Sequence, residues 1–328
     1  MTNLTWWQML KRVLIGSVIL TTGAEFLTTL MVRSSGWVLS SRYSHFSAPK
    51  PKAKVITVTS LGTWRTSKQS INPGWVTHPK YTSVKIINSK PTYHVGDTLV
   101  LEVIARDSNK RRKVYGGDYL RAVLRDKAQK ASTTGRVRDH GNGRYTVSFL
   151  LSFPGRVKPQ VQLIHPSEAV QLLKELREIP NKRRCDAGVS IDIKKTVGGA
   201  NVVLVLSLCS HFTAEPKHVY SSRMYEVRSA IQEHHKKYPE TTVIVKTCNT
   251  RHHRHYREVI QMSDWLADQL NQEMKGILGD LSVAILDVWD MTVSQWYAQD
   301  IHPDVHVVDN ELNILMSYIC PWMMKKYR

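Results

Sequence analysis

Three short apolar runs limit what this chain can fold into: residues 201–209 (NVVLVLSLC), 241–248 (TTVIVKTC) and 281–290 (LSVAILDVWD). Each is nearly continuous and rich in β-branched residues, without the polar alternation of a strand that faces water on one side. Such runs belong to parallel strands covered on both faces. The intervals between them carry a different period. Met224, Val227 and Ile231 share one helical face in a stretch that stops before Pro239, and Met262, Leu266, Leu270, Met274 and Leu278 recur every four residues in the next. Strand, helix, strand, helix, strand in that order means an open α/β sheet with right-handed crossovers.

The middle of the chain follows another rule. In residues 136–170 the turn Asp139-His140-Gly141-Asn142-Gly143 feeds a run in which Tyr145, Val147, Phe149 and Leu151 alternate with Arg144, Thr146 and Ser148. Asn-Gly is expected to supply the positive φ angles of the turn, and the period of two puts one face on a core and the other in water. Upstream, Leu99, Leu101, Val103 and Ala105 alternate with Val100, Glu102, Ile104 and Arg106, and Val161 and Leu163 offer a last strand. Short strands with regularly spaced turns read as a β-sandwich over residues 81–170. It has no Cys-Trp-Cys arrangement, so packing alone must hold it. A helical run at residues 168–178 and the basic string Asn181-Lys182-Arg183-Arg184 form a junction over residues 171–198, ahead of the α/β part at residues 199–328.

At 328 residues there is room for two such domains and an N-terminal extension. Lys11 and Arg12 precede the apolar residues 13–20, which Thr21, Thr22, Gly23, Ala24 and Glu25 dilute before residues 26–32. Basic residues, a short apolar core and then small residues make a secretory signal, and residues 13–32 taken as one span approach the length that crosses a bilayer. Residues 1–35 are therefore expected to be a signal peptide or a signal-anchor, and a buried or amphipathic helix is the alternative. Residues 36–80, dominated by Ser, Lys, Pro and Thr, read as a stem.

A formal charge of +19, from 46 Lys and Arg against 27 Asp and Glu, attracts polyanions: acidic glycans, anionic lipid or nucleic acid. No zinc-finger, RNP or basic-zipper pattern is present, so nucleic acid is the weakest of the three. His252, His253 and His255 stand among Arg251, Arg254 and Arg257, which repel a cation; the segment reads as a solvated basic loop, with no metal expected. Cys185, Cys209, Cys248 and Cys320 allow three disulfide pairings. Cys209 and Cys248 end strands that can be neighbours, which makes that pair geometrically plausible, with buried free thiols as the alternative.

The segments DHGNGRYTV, FPG and HPSEAV, with GDTLVLEVIARDS at residues 96–108 and YGGDYLRAVL at residues 115–124, closely resemble the neurexophilin-like domain of the neurexophilin and PC-esterase (NXPE) family. The resemblance implies an Ig- or filamin-like β-sandwich. The segments LSLCSHFTAEP, VWDMTVSQW, IHPDVHVV and NILMSYICPW resemble the C-terminal part of that family's PC-esterase domain, which is similar to SGNH/GDSL hydrolases. The resemblance implies a secretory-pathway protein whose intact relatives perform acyl-ester chemistry on cell-surface glycoconjugates, as esterases or O-acyltransferases.

One departure bears on that chemistry. Family enzymes carry Gly-Asp-Ser after the first strand of the α/β domain, with Ser as nucleophile, yet only residues 171–200 separate HPSEAV from the 201–209 run, and no Gly-Asp-Ser occurs in the chain. Gly96-Asp97-Thr98 opens a sandwich strand, and Gly279-Asp280-Leu281-Ser282 precedes the last sheet strand, at the wrong edge for a ligand. The expectation is an incomplete α/β domain and a catalytically incompetent relative. The alternatives are a neurexophilin-like ligand or receptor-binding protein and an enzyme that uses another serine. By resemblance His302 is the vestigial catalytic histidine, with His306 second and Asp304 or Asp300 as the orienting carboxylate, ahead of Asp287 and Asp290. Ser210 and His211 follow the first parallel strand and are expected to line the same cleft. The expected partner is a cell-surface glycoconjugate or an extracellular protein, with no cofactor and membrane contact only through the N-terminal segment. In related sheets of order 2-1-3-4-5 the missing strand is central, so its loss is expected to leave residues 202–208 as a bare apolar edge.

Overall fold

The computed structural model describes residues 26–33, 36–42, 73–178, 188–200, 202–296, 300 and 302–319, the first two segments as backbone only. It has two layered regions that meet along one seam. The first is a curled antiparallel sheet of order β3-β4-β7-β6-β5-β8, built from β3 (Ser83–Ile86), β4 (Thr98–Ile104), β5 (Tyr119–Asp126), β6 (Ala131–Asp139), β7 (Arg144–Leu150) and β8 (Lys158–His165). The alternation in the sequence is carried into the pairing. Leu101 lies opposite Val147 and Val103 opposite Tyr145, and with Leu99, Phe149, Ala122 and Leu124 they form one buried core.

The curl is made by β6. Its first half pairs β5 (Ala122 opposite Gly135) and its second half pairs β7 (Arg136 opposite Ser148), so the strand passes from one layer to the other at Gly135. A Cβ there would lie 2.7 Å from the Phe149 ring, which reserves the position for glycine. In the turn before β7 the positive φ angles fall on Gly141 (73°) and Gly143 (74°), not on Asn142 as the Asn-Gly pair suggested. Gly143 is also pressed on the Lys113 carbonyl, 2.3 Å from where a Cβ would stand, while its own carbonyl accepts the Ala105 N–H.

The second region is the α/β part. β9 (Val202–Ser207), β10 (Thr242–Lys246) and β11 (Ala284–Leu286) run parallel as neighbours, joined by α3 (Lys217–Lys237) and by α4 (Tyr256–Met262) followed by α5 (Asp264–Leu278). Between the two regions stand α1 (Ser167–Arg177) and α2 (Gly188–Lys195). Both faces of the parallel strands are buried. Leu204, Leu206, Val243 and Val245 pack on α2, α3 and α5, whereas Val203, Ile244, Leu286 and Val288 pack on α7 (Val305–Ile319), which follows the short α6 (Trp289–Val293). Both crossover helices share one face, as two crossovers of one hand along one direction of a sheet require. Full burial of Leu204 and Leu206 stabilises by about 1.5–3 kcal/mol each.

The free side of β9 is not bare, contrary to the expectation for residues 202–208. β1 (Phe26–Arg33) lies antiparallel on it, with Phe26 opposite Ser207 and Met31 opposite Val202, and β2 (Gly36–Arg42) completes a hairpin outside β1. The row of backbone groups that would have faced solvent is paired instead. Part of the segment expected to serve export is thus β-strand here. Its more apolar half, residues 13–20, lies outside the described residues, as do residues 43–72 of the expected stem. No helix among the described residues is long and apolar enough to cross a membrane.

Candidate functional site at the carboxyl edge and the seam

Because β9, β10 and β11 are parallel, their carboxyl ends share one edge, where open α/β sheets collect ligands. Cys209 and Cys248, just past β9 and β10, form a disulfide with Cα atoms 5.4 Å apart. Ser210 follows, half-buried, its carbonyl accepting a hydrogen bond from the Thr213 hydroxyl at 2.9 Å, and His211 is exposed. His302 and His306 are exposed at the start of α7. Asp304 stands between them, and its Oδ1 accepts the His306 N–H at 2.9 Å. A carboxylate so placed caps the helix, satisfying one of its unpaired donors and opposing the positive end of its dipole.

The remaining acidic candidates are engaged as well. Asp300 pairs with Arg254. Asp287 holds Lys275 Nζ at 2.5 Å and accepts from Thr247 Oγ1 at 3.2 Å; burial acts to raise its pKa, but Lys275 outweighs that and holds it low. Asp290 is exposed on α6. The histidine-rich segment is organised around Glu258, which accepts from Arg251 at 3.1 Å and from the Arg254 N–H at 2.9 Å and lies 3.7 Å from His255 Nε2. The hydrogen bond from the Arg254 backbone, ahead of the nearby positive charges, holds its pKa below the usual range.

That segment reaches the seam through Asp264, the first residue of α5. Asp264 Oδ1 accepts the Arg251 N–H at 3.1 Å, and Oδ2 pairs with Arg121 of β5, so one buried carboxylate joins the sheet of one region to a loop of the other. Beside it Tyr119 packs with Val170, Leu173, Trp265 and Leu266, and its ring stacks on His165 at 6.3 Å. His165 is buried, and its Nε2 has no hydrogen-bond partner among the described residues. Burial first, and then the neighbouring His253, push its pKa down. Further along, Arg125 donates to the Gln295 carbonyl at 2.8 Å, Ser132 to the Ser294 carbonyl at 2.7 Å and Trp296 Nε1 to the Lys130 carbonyl at 3.0 Å.

Between these contacts the two regions leave a cavity of about 320 Å³, lined by Tyr119 and Arg121 from β5, Asp268 and Gln272 from α5, and Trp289 and Asp290 from α6, among others. The volume is at the small end of ligand pockets. Burial pushes the Asp268 carboxyl up to about 6, against the hydrogen bond it accepts from Gln272 at 3.0 Å. Carboxyl, amide, guanidinium and indole groups around one polar space suit a small ligand with several hydroxyl or amine groups.

Of the residues singled out in the sequence, Ser210 and His211 follow β9 at the carboxyl edge, and His302, Asp304 and His306 stand at the start of α7. The seam residues Arg121, Asp264 and Asp268 were missed. They come from separate stretches that only the docking of the two regions brings together, and no spacing rule marks them.

Two protein-family models match the chain. A model described as neurexophilin matches residues 52–225, more than half of the chain, and one described as the C-terminal domain of proteins like NXPE family member 4 matches residues 180–320. The first match runs beyond the curled sheet through α1, α2 and β9 into α3, so the two overlap on the first parallel strand.

Proposed function

The chain belongs to the NXPE family, and from that premise we propose that it acts by binding an extracellular partner and not by acyl transfer or ester hydrolysis. One observation carries this reading. Among the described residues no strand stands between β8 and β9: the connection holds α1 and α2, and the place beside β9 is taken by an antiparallel strand. A parallel strand in that place would end at the carboxyl edge and bring a nucleophile that follows it to the side of the sheet where ligands gather. Antiparallel β1 brings the start of a strand to that edge, with Phe26 opposite Ser207, and the chain has no Gly-Asp-Ser.

In this reading the curled sheet is the Ig- or filamin-like module of the family and the α/β part is a remnant of its SGNH/GDSL-like domain, kept as a scaffold that closes the seam cavity. His302 and Asp304 are relics of a triad, and Asp304 now serves as a helix cap. The basic residues and apolar run at the N-terminus fit export through the secretory pathway, so the partner is an extracellular protein or cell-surface glycoconjugate. Hydrolysis of p-nitrophenyl acetate by the purified protein tests the proposal. The expected result is a rate equal to that of His302→Ala. Loss of a triad nucleophile costs on the order of 10⁶-fold, so a His302-dependent rate well above background would overturn it.

A further inference from the structure

The outer face of the curled sheet carries a charge pattern that the seam and the carboxyl edge leave unused. Pairing register fixes which side chains share it. Lys85 lies opposite Glu102, Glu102 opposite Thr146 and Thr146 opposite Arg138; in the flanking rows Ile104 lies opposite Arg144, and Val100 opposite Ser148, itself opposite Arg136. The residues that alternate with these, Leu101, Val103, Tyr145, Val147 and Phe149, are the buried core, so Lys85, Arg136, Arg138 and Arg144 project together on the other side, and all four are exposed. Neighbouring strands are about 4.8 Å apart and alternate residues about 6.8 Å, which sets the three arginines in one row about 14 Å from Arg136 to Arg144.

Little among the described residues neutralises the patch. Glu102 approaches Arg144 at 3.5 Å, with Arg144 exposed and Glu102 partly so, a pair worth little in water. Among the described residues neither Arg136 nor Arg138 pairs with a carboxylate. Thr146, whose hydroxyl meets His140 Nε2 at 2.8 Å, and Ser148 add hydroxyl groups between the arginines.

We propose that this face binds an acidic polysaccharide, a chain bearing repeated sulfate or carboxylate groups. The arginine fork matches the planar, bidentate geometry of such groups better than lysine does. A shallow two-strand array of arginines and hydroxyls fits a linear chain laid across it. No phenylalanine, tyrosine or tryptophan stands among the paired residues of this face, so the broad stacking platform that single-stranded nucleic acid uses is missing there.

Heparin and unsulfated hyaluronan are the probes, tested on the full chain by salt elution and by direct affinity measurement. The variant R136Q/R138Q/R144Q is compared with K195Q/K236Q/K237Q, which removes the same charge from exposed positions on and beside α2 and α3. Thermal unfolding confirms that both variants are folded. The arginine variant is expected to lose affinity for heparin, for hyaluronan or for both by about 10- to 100-fold, and the lysine variant by under about threefold. Preference between the two probes tells sulfate from carboxylate recognition. Equal losses in both variants would reduce the effect to overall charge and overturn the proposal. Failure of both probes to bind at 150 mM salt, or tighter binding of duplex DNA or phosphatidylserine vesicles, would overturn it too.

Discussion

Asp264 holds the two regions at a single carboxylate, and its energetics follow from its burial. With Arg121 only partly exposed and Asp264 almost fully buried, removing one partner leaves a desolvated charge behind. Arg121→Ala is expected to destabilise the protein by about 3 kcal/mol in urea unfolding, and a loss under about 0.5 kcal/mol would mean the pair is solvated. Asp268 acts in the opposite sense. Its carboxyl keeps its proton in the folded state up to about pH 6, whereas the unfolded chain releases it near the ordinary value of 3.8. The folded state therefore has the benefit of this group at acid pH and loses it as pH rises through 6, where a charge must be held against burial. Asp268→Asn cannot ionise. It is expected to gain about 1–2 kcal/mol of stability above pH 6, discounted for the water the cavity admits, and nothing below about pH 4. Stability curves of the two proteins that run parallel across that range would contradict the account.

The parallel strands were legible because burial on both faces writes an unbroken apolar run, and NVVLVLSLC and TTVIVKTC became β9 and β10 with little change. The third run yielded only Ala284–Leu286, since the rest of LSVAILDVWD enters the loop at Asp287 and the start of α6. The four-residue period from Met262 to Leu278 hid a break. Ser263 caps α5 by accepting the Leu266 N–H, and Met262 ends the separate α4, because a buried cap interrupts a helix without disturbing the spacing of its apolar residues. The hairpin of β1 and β2 was not legible at all: its partner strand lies some 170 residues away, and its apolar letters serve export and pairing equally well. Cys209 and Cys248 were within reach of the sequence because strand order places both at the carboxyl edge. Closing a loop of 39 residues, that disulfide is expected to contribute about 3–4 kcal/mol, read as the loss in Cys209→Ala/Cys248→Ala on urea unfolding. No loss would mean that the strand ends are held by packing alone.

As a whole, the described part of the molecule is an antiparallel sheet docked through Arg121, Tyr119 and α1 on a mixed sheet of five strands, three of them parallel. Family membership was readable from segments in both halves, and the missing Gly-Asp-Ser was readable as an absence. The sequence could not say what pairs with the free side of β9 or how the halves meet, since both depend on contacts between stretches far apart in the chain. In the proposed reading the α/β half has kept its scaffold and lost its nucleophile. A fluorophosphonate probe tests this most directly, because it reports an activated serine wherever in the chain it lies. After incubation with an excess of probe, intact-mass measurement of the folded protein is expected to show no adduct. A stoichiometric adduct on a single serine, abolished by His302→Ala, would show that a working nucleophile is present and contradict the account.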